Sequence, residues 1–297
     1  MKRVSFSELR IVALGLLLGQ MACGCVGRLP STVRVQRDIP YAQVDGRTLK
    51  LDIYSPKQAT NPVPALVWLH PGAWDMGSKS FCPIGFMAAT NLAIVSVDYR
   101  LSEVAPFPAQ LYDCKGAVRW LRANAEQYHL DPDHIGVFGA SAGGHLALLL
   151  ADTAGRPGLE GDIGGNRDFS SRVQCACAFY PPTDLNRLVR DPKDRLDPDG
   201  DVAKLLGGPL ASNVDKAIAA SPLTYVDKDC APVFLMHGTA DQLVPVEQSR
   251  IFYDALVKAD VAAELEIVPK KGHGIIAPPP VAEKAYRFFD RYLQAGR

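Results

Sequence analysis

Three side chains far apart in the chain have the types and the order that nucleophilic acyl transfer needs: Ser141, Asp241 and His273. A serine hydroxyl is a poor nucleophile until a base takes its proton. A histidine can take it near neutral pH and return it to a leaving group, while an aspartate fixes the imidazole tautomer and stabilises the imidazolium. Ser141 sits in Gly139-Ala140-Ser141-Ala142-Gly143, after the apolar run 135–138 and before helix-forming residues. That is the strand-turn-helix setting of a Gly-x-Ser-x-Gly elbow, and the glycines let neighbouring backbone pass close to a sharp turn. Asp241 follows the apolar run 232–237, and His273 stands between Gly272 and Gly274 just past the run 265–268. Of the six histidines, only this one lies between glycines on a late post-strand loop. His129 and His134 flank a turn and read as surface or structural, whereas His145 on a first helical turn and His237 at a strand end read as packed and hydrogen-bonded. Asp184, which also follows a strand, is the rival for the acid.

Acyl transfer also develops an oxyanion, which needs backbone N–H groups already aimed at it. His70-Pro71-Gly72-Ala73-Trp74 ends an apolar run well ahead of Ser141, where a His-Gly-Gly-Gly-type loop is expected. Pro71 removes one N–H and Ala73 replaces a glycine, so the expected donors are Gly72, Ala73 and, just after the nucleophile, Ala142. Losing one such donor costs on the order of 3 kcal/mol of transition-state stabilisation. His70 reads as a structural support of the loop.

These residues must be carried by a sheet. Segments 33–44 and 48–54 alternate around Asp45-Gly46, a hairpin signal. The continuous apolar runs 65–69, 92–97, 173–180 and 232–237 suit strands buried on both faces. Between them, 81–90 reads as a helix. Pro106 and Pro108 open another, with Leu111, Cys114, Val118, Leu121, Ala125 and Tyr128 in helical spacing. A third helix runs from Ser141 to about Ala151, and a fourth carries Ile251, Phe252, Ala255, Leu256 and Ala259 on one side. Asp131-Pro132-Asp133-His134 reads as the turn before the nucleophile strand. Strand and helix alternate, which specifies an α/β fold with a mostly parallel central sheet, an antiparallel N-terminal hairpin and helices on both faces. The long loop 155–171 is expected to line the acyl or alcohol pocket. The stretch 181–222 is expected to be a small excursion over the site within one catalytic domain, 31–297.

The chain has 297 residues, 47% hydrophobic and 22% charged, with no formal net charge. That balance supplies a large core and implies neither nucleic acid nor an anionic membrane surface as an electrostatic partner; a small neutral substrate fits better. Residues 1–30 read as an export segment. Lys2, Arg3 and Arg10 precede the short apolar run 11–19, and Met21-Ala22-Cys23-Gly24-Cys25 is similar to a lipoprotein cleavage box. Membrane contact would come through a lipid anchor at Cys25 or Cys23; ordinary signal-peptidase cleavage is the alternative. Five cysteines remain, Cys82, Cys114, Cys175, Cys177 and Cys230. Their spacing matches no zinc pattern, so they read mostly as core residues, with one disulfide left open.

Several segments together carry a family resemblance. His70–Trp74, Asp98-Tyr99-Arg100-Leu101, Val118-Arg119-Trp120-Leu121-Arg122, the stretch from Gly139 to Ala147, Ser170-Ser171-Arg172-Val173-Gln174 and Lys271-Gly272-His273-Gly274 resemble the BD-FAE-type esterases, named for bifunctional feruloyl and acetylxylan esterases. The resemblance runs from about Tyr41 to the C-terminus. It implies an α/β-hydrolase fold, carboxylic-ester hydrolysis without cofactor or metal, and a site made of Ser141, Asp241, His273 and the loop at Gly72. Pro71, Ala73 and Tyr180-Pro181-Pro182 depart from the pattern, the last where relatives carry an aromatic-Gly-Pro turn, and bear on pocket shape. The expectation is an exported serine esterase that acts through an acyl-enzyme on small acyl or aryl esters, with acetyl or feruloyl groups of plant polysaccharide as candidates. A generalist carboxylesterase, or an amide-cleaving arylformamidase- or peptidase-like hydrolase, is the alternative within enzymes. No propeller-like repeat precedes the domain to restrict access as a peptidase would need. A binding protein on a hydrolase scaffold is the alternative outside enzymes. The oligomeric state is left open.

Overall fold

The computed structural model describes residues 29–189, 199–275 and 277–294. Residues 1–28, which hold most of the expected export segment with Cys23 and Cys25, lie outside the described residues.

Among the described residues, eight strands form one sheet: β1 (Val33–Val44), β2 (Arg47–Pro56), β3 (Val63–Leu69), β4 (Ala93–Val97), β5 (Leu130–Ala140), β6 (Ala176–Phe179), β7 (Val233–Gly238) and β8 (Ala263–Val268). The strand order is β1-β2-β4-β3-β5-β6-β7-β8. β1 and β2 form the expected antiparallel hairpin, and β2 pairs antiparallel with β4. From β4 onward every pair is parallel. The hairpin turn has positive φ at both Asp45 and Gly46, the condition that Asp-Gly meets most easily.

The sheet is covered on both sides, which explains why its central strands are apolar throughout. Alternate residues of β3 enter different cores: Ala65, Val67 and Leu69 on one side, Leu66 and Trp68 on the other. The first core takes α1 (Ala109–Ala123), α3 (Ala142–Asp152) and Phe252 and Leu256 of α7 (Glu247–Lys258); α2 (Ala125–Tyr128) is a short turn after α1. The second takes the 3-10 turn Gly85–Thr90 and α8 (Pro279–Phe289). Among the described residues of the 181–222 stretch lie three short α-helices, α4 (Leu185–Leu188), α5 (Asp201–Leu206) and α6 (Val214–Ala219).

Local expectations are corrected in three places. The helix expected over 81–90 is only the 3-10 turn Gly85–Thr90, ended by Asn91 at φ 68°. Pro83 and Gly85 leave too few good helix formers for a full α-helix. Asp131–His134 does turn, with Asp133 N–H and the His134 ring both donating to the Asp131 carboxylate. It does so inside β5, however: Val63 pairs with Leu130 and Ala65 with Ile135, so the four residues form a bulge. β6 is shorter than the apolar run 173–180: it begins only at Ala176, and at its other end Tyr180 turns the backbone to φ 41°. The five described cysteines are all free, and Cys175, just before β6, and Cys177 within it both face the second core.

Candidate active site

Ser141 joins β5 to α3 at φ 53° and ψ −121°, a conformation that costs a non-glycine residue of order 1–3 kcal/mol. Its neighbours make the turn feasible. A Cβ on Gly139 would lie 2.1 Å from the Gly143 carbonyl oxygen, and one on Gly143 would lie 2.0 Å from that of Leu69. Both positions therefore need glycine. The Ser141 N–H donates to Phe179 O at 2.8 Å and the His145 N–H to Ser141 O at 2.9 Å, tying the strained residue to β6 and to its own helix.

The neighbouring strands β7 and β8 deliver the other two residues at the same edge of the sheet. Ser141 Oγ lies 2.9 Å from His273 Nε2, and His273 Nδ1 lies 2.8 Å from Asp241 Oδ2. An ionised carboxylate only accepts, so Nδ1 carries the proton and Nε2 is free to receive the hydroxyl hydrogen. Asp241 accepts further bonds: Oδ1 from the N–H groups of Leu243 and Val244 at 3.0 and 2.9 Å, and Oδ2 from His237 Nε2 at 3.2 Å. Burial pushes this carboxyl upward, but the bonds from His237, His273 and Val244 outweigh it and hold Asp241 well below the usual carboxylate range. Asp184 is elsewhere employed, accepting from Arg187 N–H as the N-cap of α4.

His237 is packed and hydrogen-bonded, as its place at a strand end suggested, but its contact with Asp241 was not foreseen. It is fully buried; Nδ1 faces Ser249 Oγ at 2.7 Å, and Nε2 faces Val244 O at 2.8 Å as well as Asp241. Two acceptors at Nε2 fix the proton there. The available signal was the four-residue spacing from His237 to Asp241 across a tight post-strand turn.

The loop after β3 runs beside the elbow. Gly72, Ala73 and Trp74 have φ of 134°, 51° and 60°, and the N–H groups of Asp75 and Met76 both return to Gly72 O at 2.9 Å. A Cβ on Gly72 would lie 2.1 Å from Met76 O, so this position admits only glycine, whereas Ala73 holds its left-handed conformation under strain. Trp74 is the anchor. Its carbonyl accepts from Ser102 N–H and Oγ at 2.8 and 2.9 Å, and its indole N–H donates to His145 Nδ1 at 3.1 Å. His145 in turn donates from Nε2 to Ala220 O at 2.6 Å. Burial pushes the His145 imidazole down to about 4, so it is neutral and links the loop, the nucleophile helix and the end of α6. His70 is a support, as its sequence suggested: it stacks on Tyr99 at 4.3 Å and pairs through Nδ1 with Pro71 O at 2.9 Å. Ala142 is the first residue of α3, and helix geometry leaves its N–H without an intrahelical acceptor.

Two further features shape the surroundings. Tyr180 sets its ring edge-on to His273 at 4.7 Å; burial, with the Asp241 charge behind it, pushes its phenol up to about 12. Lys204 of α5 pairs with Asp75 at 2.8 Å, so α5 rests on the loop of Gly72. Loop 155–171 behaves otherwise than expected. Glu160 takes Lys115 Nζ at 2.8 Å, Arg119 at 3.2 Å, Ser171 Oγ at 2.9 Å and Gly155 N–H at 2.7 Å. These bonds seat the loop on α1, and none of its residues lines the cavity that His273 borders.

A family model, BD-FAE, matches residues 51–256. Among sequence relatives, the probable carboxylic ester hydrolase LipM of Mycobacterium tuberculosis is 32% identical over 255 residues, which is 79% of this chain and 57% of LipM. The chain spans little more than half the length of this and two further curated relatives, LipQ and LipC. Among solved structures, a truncated carbohydrate esterase from gut microbiota superposes with TM-score 0.80 and 28% identity, over 90% of this chain and 99% of that one. A bifunctional GH43-CE protein of Bacteroides eggerthii gives TM-score 0.80 and 33% identity, over 88% of this chain and 38% of that one. The fold is thus that of the α/β-hydrolases. Since the matched stretch reaches from β2 through the Ser141 elbow and Asp241 into α7, the chain belongs to the BD-FAE family.

Proposed function

We propose that this protein is a serine carboxylic-ester hydrolase that works through an acyl-enzyme. The observation that carries the reading is the hydrogen-bonded line Ser141 Oγ, His273 Nε2, His273 Nδ1, Asp241 Oδ2, at 2.9 and 2.8 Å. In the first half-reaction Ser141 Oγ attacks the ester carbonyl carbon as its proton passes to His273 Nε2. The carbonyl oxygen becomes an oxyanion facing the N–H groups of Gly72, Ala73 and Ala142, and collapse of the adduct expels the alcohol oxygen, which takes the proton from His273. In the second, water gives a proton to His273 and attacks the acyl carbon; the carboxylic acid leaves and Ser141 regains its hydrogen. Asp241 keeps the imidazole in one tautomer throughout. No step calls for a cofactor or metal.

The esterase names of the relatives support this chemistry. The two carbohydrate-esterase neighbours support a finer reading, in which acetyl or feruloyl groups on plant polysaccharide are among the substrates. Export, with a lipid anchor at Cys25 or Cys23, is part of the same proposal and rests on Lys2, Arg3, Arg10 and the apolar run after them. The test is hydrolysis of p-nitrophenyl acetate, methyl ferulate and acetylated xylan by the parent and by Ser141→Ala, with fluorophosphonate labelling alongside. The expected result is labelled parent protein and a loss on the order of 10⁴-fold or more in kcat for the variant. Turnover that survives Ser141→Ala, or an unlabelled parent, overturns the reading.

A further inference from the structure

Beside His273 lies a cavity of about 310 Å³, within the size range of small-ligand pockets. His273, Gly274 and Ile275 border it, as do Pro71 and Ala140 beside the loop of Gly72 and the Ser141 elbow, so it adjoins the candidate site. Its floor is the second-core face of the sheet, with Trp68, Phe138 and Phe179, and its far walls are Phe86 and Met87 of the 3-10 turn and α8. Among the described residues, no Asp, Glu, Lys or Arg lines it, and the Trp68 indole N–H in its wall already donates to Phe81 O at 2.7 Å. A polyhydroxylated group placed there would give up bonds to water and recover few.

Four residues of α8 line the cavity: Ala282 and Ala285, one turn apart, are small and leave room, while Tyr286 and Phe289 close the wall beside them. We infer that this cavity takes the hydrophobic part of the ester, an alkyl chain of medium length or an aromatic ring, and that Ala282 and Ala285 set how much of it fits. The inference rests on the ester-hydrolase reading and deepens it. Size selection then comes from α8, on the far side of the sheet from the loop 155–171 and its α1 seat. The hydrophobic group can belong to either half of the ester, since the chemistry that recognises it is the same.

The experiment uses the full-length chain and two ester series. One lengthens the acyl group, from p-nitrophenyl acetate through butyrate to hexanoate; the other enlarges the alcohol, from ethyl through hexyl to 2-naphthyl acetate. Burial of each methylene contributes on the order of fourfold, so kcat/KM should rise at least about tenfold along one series, and that series identifies the half held in the cavity. Ala282→Leu should cut the large-to-small ratio by about tenfold or more, and Phe86→Ala should move the optimum to a larger group. Phe169→Ala, on the loop seated on α1, should leave the ratio as in the parent. A ratio flat along both series, or a rise that survives Ala282→Leu and Phe86→Ala alike, overturns the inference. Binding of hexyl acetate to Ser141→Ala by calorimetry separates this from the function itself. If the parent hydrolyses nothing yet Ser141→Ala binds the ester and loses it on adding Ala282→Leu, the cavity assignment stands and the hydrolase reading falls. If Ser141→Ala binds no hexyl acetate while the parent hydrolyses p-nitrophenyl acetate, the reverse holds.

Discussion

Asp241 receives four donors, two backbone N–H groups on Oδ1 and two imidazoles on Oδ2, all within 3.2 Å. An asparagine there would have to aim an NH₂ at one of those donor pairs, so Asp241→Asn breaks the arrangement while nearly preserving shape. Its kcat should fall by about 10³–10⁴-fold, read in single-turnover assays. The same carboxyl contributes to stability, and the sign follows from its depressed folded pKa. Its contribution is complete above the unfolded value, 3.8, and is lost as pH falls through the folded value below it. Melting curves of parent and Asp241→Asn should therefore differ most near neutrality and converge on acidification below 3.8. His145 is the second residue with a defined pH signature. Burial lowers it from 6.5 to about 4, so the unfolded chain binds a proton that the folded chain refuses between those values. Stability should decline by up to about 3 kcal/mol as pH falls across that window. His145→Asn should flatten this part of the profile in a pH series of melts; an unchanged slope would sink the assignment.

At the scale of elements, the nucleophile elbow and the loop after β3 depend on each other. Gly143 lets α3 start against the carbonyl of Leu69, and a methyl group 2.0 Å from that oxygen has no flexible partner to displace. Gly143→Ala should lower the melting temperature sharply, with a loss of several kcal/mol, because backbone has to move. The loop is held in its left-handed run through Trp74. Trp74→Phe keeps the packing but leaves His145 Nδ1 buried without its donor, at a cost of about 1–3 kcal/mol. With the anchor gone, Gly72 and Ala73 are held less firmly, so kcat should drop about tenfold with KM little changed. A change confined to KM would mean that the anchor shapes substrate binding instead of the oxyanion donors.

For the whole molecule, the sheet order puts four successive parallel strands side by side, β5, β6, β7 and β8, and their ends supply Ser141, Tyr180, Asp241 and His273. Behind them, loop 155–171 closes the opposite side of α1 through a polar cluster. Lys115 there is wholly buried, and Glu160, about one-third exposed, is its counter-ion. Glu160→Gln keeps the hydrogen-bonding shape but leaves Lys115 and Arg119 short of negative charge. Breaking a buried pair costs 3–5 kcal/mol, and solvent at Glu160 reduces the expected loss to about 2 kcal/mol in denaturant melts. Activity on p-nitrophenyl acetate below the melting range should stay at the parent's level, since the loop borders a different cavity from His273.

The parts of this protein legible from sequence are those written in local chemistry. Apolar runs bounded by Gly and Pro marked the strands, Asp45-Gly46 marked the hairpin, and glycines around Ser141, Asp241 and His273 marked sharp post-strand turns, because a backbone forced into such turns tolerates few residue types. The contacts decided only by tertiary structure join residues that local pattern treats as ordinary. His237 lies under Asp241 because β7 ends in a turn that folds back on itself, and His145 bridges Trp74 and Ala220 from segments some 70 positions away on either side. Loop 155–171 looked like a pocket wall, but a single carboxylate, Glu160, joins it to the buried Lys115 of α1. The cavity at Ala282 and Ala285 has the same origin. Two alanines in a helix carry no signal of their own, and the space they leave exists only where α8 packs against the sheet face carrying Phe138 and Phe179.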